Sequence, residues 1–142
     1  YVIRKKSLES LTYCFNDDFH IIGDFDISIR LAAKWKVQCV QSAVAFVRLH
    51  DKNLSLLNKE KEIHELKVWF KQMKNNRVIS SQNNFNKVQL MTYYLETMQS
   101  IMKNGFVKSF LLVAKYPFCF NKIKLILALL LPKLLLRKIK NY

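Results

Sequence analysis

Glycine and proline are scarce: the 142 residues carry two of each. Turns that need a left-handed residue or a fixed φ are therefore few, and long helices are expected. Cysteine occurs only as Cys14, Cys39 and Cys119, with no CxxC pair. Odd number and wide spacing argue against a zinc site. Buried, reduced thiols in a cytosolic protein are the expectation. Long apolar runs are missing too. The longest in the tail, Leu125–Leu131, has seven residues, and Pro132 and Lys133 interrupt it. A membrane-spanning helix needs about 20, so none is expected there. No signal peptide and no internal repeat are visible. Acids nearly vanish from the second half: residues 66–142 hold fourteen Lys/Arg and one acid, Glu96, whereas residues 1–65 hold ten Lys/Arg and nine acids. Almost all of the +14 net charge therefore sits in the second half, which calls for an anionic partner or surface.

What is present suffices for one ordinary domain. Apolar residues make up 51% of the chain, which excludes a disordered polar polymer. Tyr1–Arg4 reads as the end of a strand, and the chain reads as a fragment or processed product of something longer. Ser7 can cap a short helix through Leu11. Phe15–Asp18 is a turn, and His20–Gly23 a short extended segment. Asp24 opens a helix to about Trp35, with Asp24 and Asp26 at its positive end. Val37–Val40 and Ala43–Leu49 read as two short strands, and in the second alternation puts Val44, Phe46, Arg48 and His50 on one face. From Lys59 the period turns helical, with Ile63, Leu66, Phe70 and Met73 in one stripe. Asn75–Asn86 is a polar loop. A helix over Lys87–Lys103 packs Met91, Tyr94, Leu95, Met98 and Ile101 inward and ends at Gly105. Another covers Phe106–Lys115, stopped by Pro117.

Two motifs then stand out in order. The first runs Phe15-Asn16-Asp17-Asp18-Phe19-His20-Ile21-Ile22-Gly23-Asp24-Phe25-Asp26-Ile27-Ser28-Ile29-Arg30-Leu31. The second is Val47-Arg48-Leu49-His50-Asp51-Lys52-Asn53-Leu54-Ser55. Together with Val2–Glu9 they resemble the C-terminal, acceptor-side signature of family 2 glycosyltransferases of the bacterial type. Members often read GFDE, a gap, then EDYDLWLRL or GDFDLFLRL, and later YRxHxxNxS. Gly23 stands where many members have Glu, and Tyr13-Cys14 replaces a usual Gly-Gly. Neither departure touches Asp24.

The resemblance implies an α/β fold: the C-terminal half of a GT-A (Rossmann-like) domain over residues 1–58, then a basic helical extension over 59–142. It implies transfer of a sugar from a nucleotide-sugar donor to a glycan or lipid-linked acceptor, with inversion, as the family's habit. Asp24 would be the general base, since transfer to a hydroxyl needs a group to take the acceptor's proton. Capping its helix is the competing role. Asp26 would touch acceptor or hold structure, and Arg30 can pair with it one turn on. Arg48 and His50 would lie near the donor diphosphate and metal. A divalent metal, Mg or Mn, is implied for the full-length parent. Its Asp-x-Asp ligands and the nucleotide-binding strands are not in this chain, so neither metal nor donor is expected to bind the chain alone, and no residue here is assigned as a certain metal ligand.

The tail mixes Lys with Leu, which suits an interfacial helix on anionic lipid. Residues 106–142 would rest on the inner face of the membrane, with Leu125–Leu131 and Leu134–Leu136 inserting. That makes the protein cytoplasmic and peripheral, with no nucleic-acid partner. The alternative is a non-enzymatic basic helical module that binds membrane or RNA, its transferase motifs inert.

Overall fold

Helices account for all the regular structure in a computed structural model that describes residues 2–46, 48, 58–103 and 105–131. In chain order they are α1 (Lys5–Glu9), α2 (Gly23–Ala32), α3 (Lys59–Met73), α4 (Arg77–Ser80), α5 (Phe85–Lys103), α6 (Phe106–Lys115) and α7 (Phe120–Leu130). No strand occurs among the described residues. This overturns the α/β expectation. Val37, Val40, Val44 and Phe46, expected in strands, are all exposed. A strand exists only through the ladder it makes with a neighbour, and no described segment makes one with these residues. Likewise Arg48 is exposed coil rather than strand. His50 lies outside the described residues, as do Asn53 and Ser55.

The chain divides into two compact units, residues 1–85 and 86–142. Helix α3 therefore belongs with the motif-bearing segment, although the helical period that begins at Lys59 suggested a boundary there.

In the first unit, α3 carries Glu60 and Glu62 in its first turn and Lys71 in its last, the charge order its dipole favours. Its buried side chains are Ile63, Glu65, Leu66, Trp69 and Met73, so four apolar groups and one carboxylate face inward. Around them lie Phe19, Ile22, Ile27, Leu31, Ile79 and Phe85, all buried. Phe25 meets the Trp69 ring edge-on at 4.9 Å, and Phe70 stacks on Phe85 at 4.6 Å. The polar stretch expected as loop contains α4, because the Asn76 side chain accepts from the N–H groups of Val78 and Ile79 and so starts a helical turn. Ser7 does not cap α1; it is buried within that helix, and Arg4 stands at the cap.

The second unit packs α6 on α7. Ile101, Val113, Tyr116, Leu125 and Ala128 form its core, with Tyr93, Tyr94, Met98, Met102 and Leu129 against them. Thr97, Ser100 and Ser109 are buried as well. Each satisfies its hydroxyl locally: Thr97 donates to the Tyr93 carbonyl, Ser109 to that of Gly105, and the Ser100 and Ser109 hydroxyls meet at 3.2 Å. Gly105 is not a left-handed end to α5. It is the extended N-cap of α6, at φ −68° and ψ 161°. Met91, expected inside, is exposed. The three cysteines are free but exposed, not buried. No described helix is long and apolar enough to cross a membrane.

Candidate functional site

Asn16 begins the site. Its side-chain oxygen accepts the Asp18 N–H at 3.0 Å, which closes the expected turn. The chain then curls, rather than extending, through His20, Ile21 and Ile22. Three successive backbone N–H groups converge on one carboxylate: Glu65 accepts from His20 at 3.1 Å, Ile21 at 2.8 Å and Ile22 at 3.1 Å. An extended segment would point alternate N–H groups to opposite sides, so Glu65 itself explains the departure from the expected geometry. Glu65 is 2% exposed. Burial pushes its carboxyl up, but the N–H bonds from Ile21, His20 and Ile22, with Lys61 nearby, prevail and hold it below the usual glutamate range.

Asp24 follows directly on this arrangement. Ile22 is the N-cap of α2 and has no side-chain cap bond. The N–H groups that lead into the helix are served by Glu65 from another helix. Asp24 sits one residue inside α2, exposed, and its carboxylate accepts a 2.8 Å bond from the adjacent Phe25 N–H. Its backbone carbonyl takes the Ser28 hydroxyl at 2.6 Å. Asp24 is therefore not the N-cap of α2.

Asp26 is the opposite case. It is fully buried. One oxygen accepts the Trp69 indole N–H at 3.0 Å, and the other takes both the Nε and an Nη of Arg30, at 2.9 and 2.8 Å. Arg30 extends the network. Its guanidinium donates to the Tyr13 and Cys14 carbonyls, each at 2.7 Å, and lies 4.1 Å from the Tyr13 ring centroid. The turn that lacks the usual Gly-Gly is thereby clamped onto α2. Lys34 and Trp35 make similar ties to Ser10. The expected Asp26–Arg30 pairing is present, and the Asp26 carboxylate is enclosed within the fold.

At Gly23, where many members of the resembled family carry Glu, an added Cβ would lie 3.6 Å from the Phe15 ring, an ordinary contact. Its φ is not positive. Nothing in the local geometry requires glycine there.

No protein-family model, curated protein or solved structure matches this chain. Among the described residues no group of three or more His, Cys, Asp or Glu could hold a metal ion.

Glu65 was missed in the sequence because it sits in a charged run, Lys59–Lys67, where a solvated face is the ordinary reading. The available signal was its position four residues before Trp69, on the buried side of α3.

Proposed function

We propose that this chain is the acceptor-side part of a family 2 glycosyltransferase, with Asp24 as the general base. The observation that carries the proposal is the contrast between two carboxylates two residues apart. Asp26 is enclosed by Trp69 and Arg30, whereas Asp24 is exposed on the first turn of α2, where its carboxylate accepts the neighbouring Phe25 N–H. The order and spacing of the two motifs support the same assignment. A site can be carried on more than one scaffold, so the proposal rests on these side chains and motifs and not on an α/β architecture, which the described residues lack.

In the proposed step, the Asp24 carboxylate takes the proton of an acceptor hydroxyl. The hydroxyl oxygen forms a bond to the anomeric carbon of the donor sugar. The bond from that carbon to the nucleoside diphosphate breaks, its electron pair leaves with the diphosphate, and the anomeric configuration inverts. The acceptor is a glycan or lipid-linked hydroxyl. Arg48 and His50 remain the proposed neighbours of the diphosphate. The same proposal places the protein in the cytoplasm, peripheral to the inner face of the membrane; the basic second half and the lack of a spanning helix among the described residues support this.

Turnover in the transferase that contains this segment tests the assignment. Asp24→Asn is expected to lower it by roughly two to four orders of magnitude with donor binding near normal. A fully active Asp24→Asn enzyme would mean that the Asp24 carboxylate is only structural.

A further inference from the structure

Helices α6 and α7 are apolar on the faces that turn away from their shared core. On α6 the exposed stripe is Phe106, Val107, Phe110 and Leu111. On α7 it is Phe120, Ile123, Ile126, Leu127 and Leu130, which recur at the three- and four-residue spacing of one helix face. Phe118, in the joint between them, is 86% exposed. On the opposite side of α7, Leu125 is wholly buried and Ala128 nearly so. A helix apolar on both sides is expected to be covered on both. The core covers one side only.

The charge around these stripes says what covers the other. Residues 97–131 hold five Lys and no acid. Lys108 and Lys115, two turns apart, fall along one edge of the α6 stripe. Lys124 borders the α7 stripe, with its Nζ 4.9 Å from the Phe120 ring centroid. Long lysine stems beside large apolar groups leave the ammonium heads at the level of an aqueous boundary. A second copy of this face would set lysines against lysines with no acid to pair them, and lysine is depleted at the cores of protein interfaces. An anionic bilayer supplies both missing partners, acyl chains for the stripes and acidic headgroups for the ammonium groups.

We propose that the α6–α7 surface is a membrane-docking face, lying in the plane of an anionic bilayer with Phe110 and Leu127 inserted and Lys108, Lys115 and Lys124 at the headgroups. It names the surface behind the peripheral location proposed above and does not depend on the chemistry of Asp24.

The test is sedimentation of the whole chain with phosphatidylcholine–phosphatidylglycerol vesicles, with pure phosphatidylcholine vesicles, and with an oligouridylate. Strong binding to the first and weak binding to the second are expected. The double variant Phe110→Ser/Leu127→Ser alters exposed positions, so helical circular dichroism should persist while partitioning falls by roughly a hundredfold. Lys108→Gln/Lys124→Gln, which spares every apolar contact, should lower partitioning on the order of tenfold at low salt. Unchanged vesicle binding by both double variants overturns the proposal. So does equal affinity for neutral vesicles, or binding to oligouridylate alone. A solution dimer that the Ser pair dissociates, in a chain that ignores vesicles, would assign the face to a second copy. Each of these failures leaves turnover as a separate test of Asp24.

Discussion

The two units solve the problem of order in different ways. In the first, two buried carboxylates reach across the sequence: Glu65 gathers the backbone of residues 20–22, and Asp26 joins Arg30 to Trp69. In the second, every acid but Glu96 is missing. Its order comes from apolar packing, from small hydroxyl residues that satisfy themselves on the preceding turn, and from two tyrosines. Tyr93 donates to the Leu112 carbonyl at 3.2 Å, Tyr116 to that of Leu90 at 3.3 Å, and their rings stack at 5.5 Å. Burial pushes both phenols up. The first unit uses charge to fix a local conformation beside an exposed carboxylate. The second keeps its charge outside, beside an apolar surface.

The largest effect should come from breaking the Asp26 network. Asp26→Ala leaves the guanidinium of Arg30, itself little exposed, without its carboxylate and the Trp69 N–H without an acceptor. A loss of about 3–5 kcal/mol in unfolding free energy is expected by denaturant titration. An unaffected midpoint would show that the first unit does not depend on its buried charges.

Glu65→Gln should come next, at about 1–3 kcal/mol, because a neutral amide oxygen holds three N–H groups less strongly than a carboxylate. The pH dependence sharpens this. The folded carboxyl of Glu65 is held below its usual range, so the unfolded chain binds its proton more readily. Its stabilisation is therefore complete above the ordinary glutamate pKa and is lost as pH falls through the depressed folded value. Thermal melts of the parent and the Gln variant between pH 7 and acid, in a buffer range of about pH 3–7, should converge as pH drops.

In the second unit Tyr93→Phe removes one hydroxyl bond and keeps the stacking. A cost of about 0.5–1.5 kcal/mol is expected, with no dependence on pH in the acid range. Smallest of all is Gly23→Ala. The Cβ meets only an ordinary contact with Phe15, and the unfolded chain loses freedom, so a gain of about 0.4–1 kcal/mol is expected.

Legibility in the sequence followed the range of the forces. Helices α3 and α6 could be read because a 3.6-residue period and flanking breakers are local: Pro117 follows α6 at the bounds expected for it, Phe106–Lys115. The Asn16 turn and the Asp26–Arg30 pair are local as well. The strands failed because alternation is local but pairing is not. Glu65 was hidden because its partners lie 43–45 residues away. In the tail, a run of leucines has no period of its own. Sequence alone could not tell that Leu125 and Leu129 serve the core while Leu127 and Leu130 face outward.

The central claim is that two aspartates on one helical turn do separate work, and measuring both substitutions on both readouts tests it most directly. Asp24→Asn and Asp26→Asn would each be followed by thermal unfolding of this chain and by turnover in the proposed parent transferase. Asp24→Asn should leave the unfolding midpoint in place and remove roughly two to four orders of magnitude of turnover. Asp26→Asn should lower the midpoint by several degrees, by about 4–8 °C for each kcal/mol lost if the first unit melts as a domain of its size. If Asp24→Asn lowers the midpoint as far as Asp26→Asn does, or leaves turnover intact, Asp24 is a structural residue and the catalytic assignment is wrong.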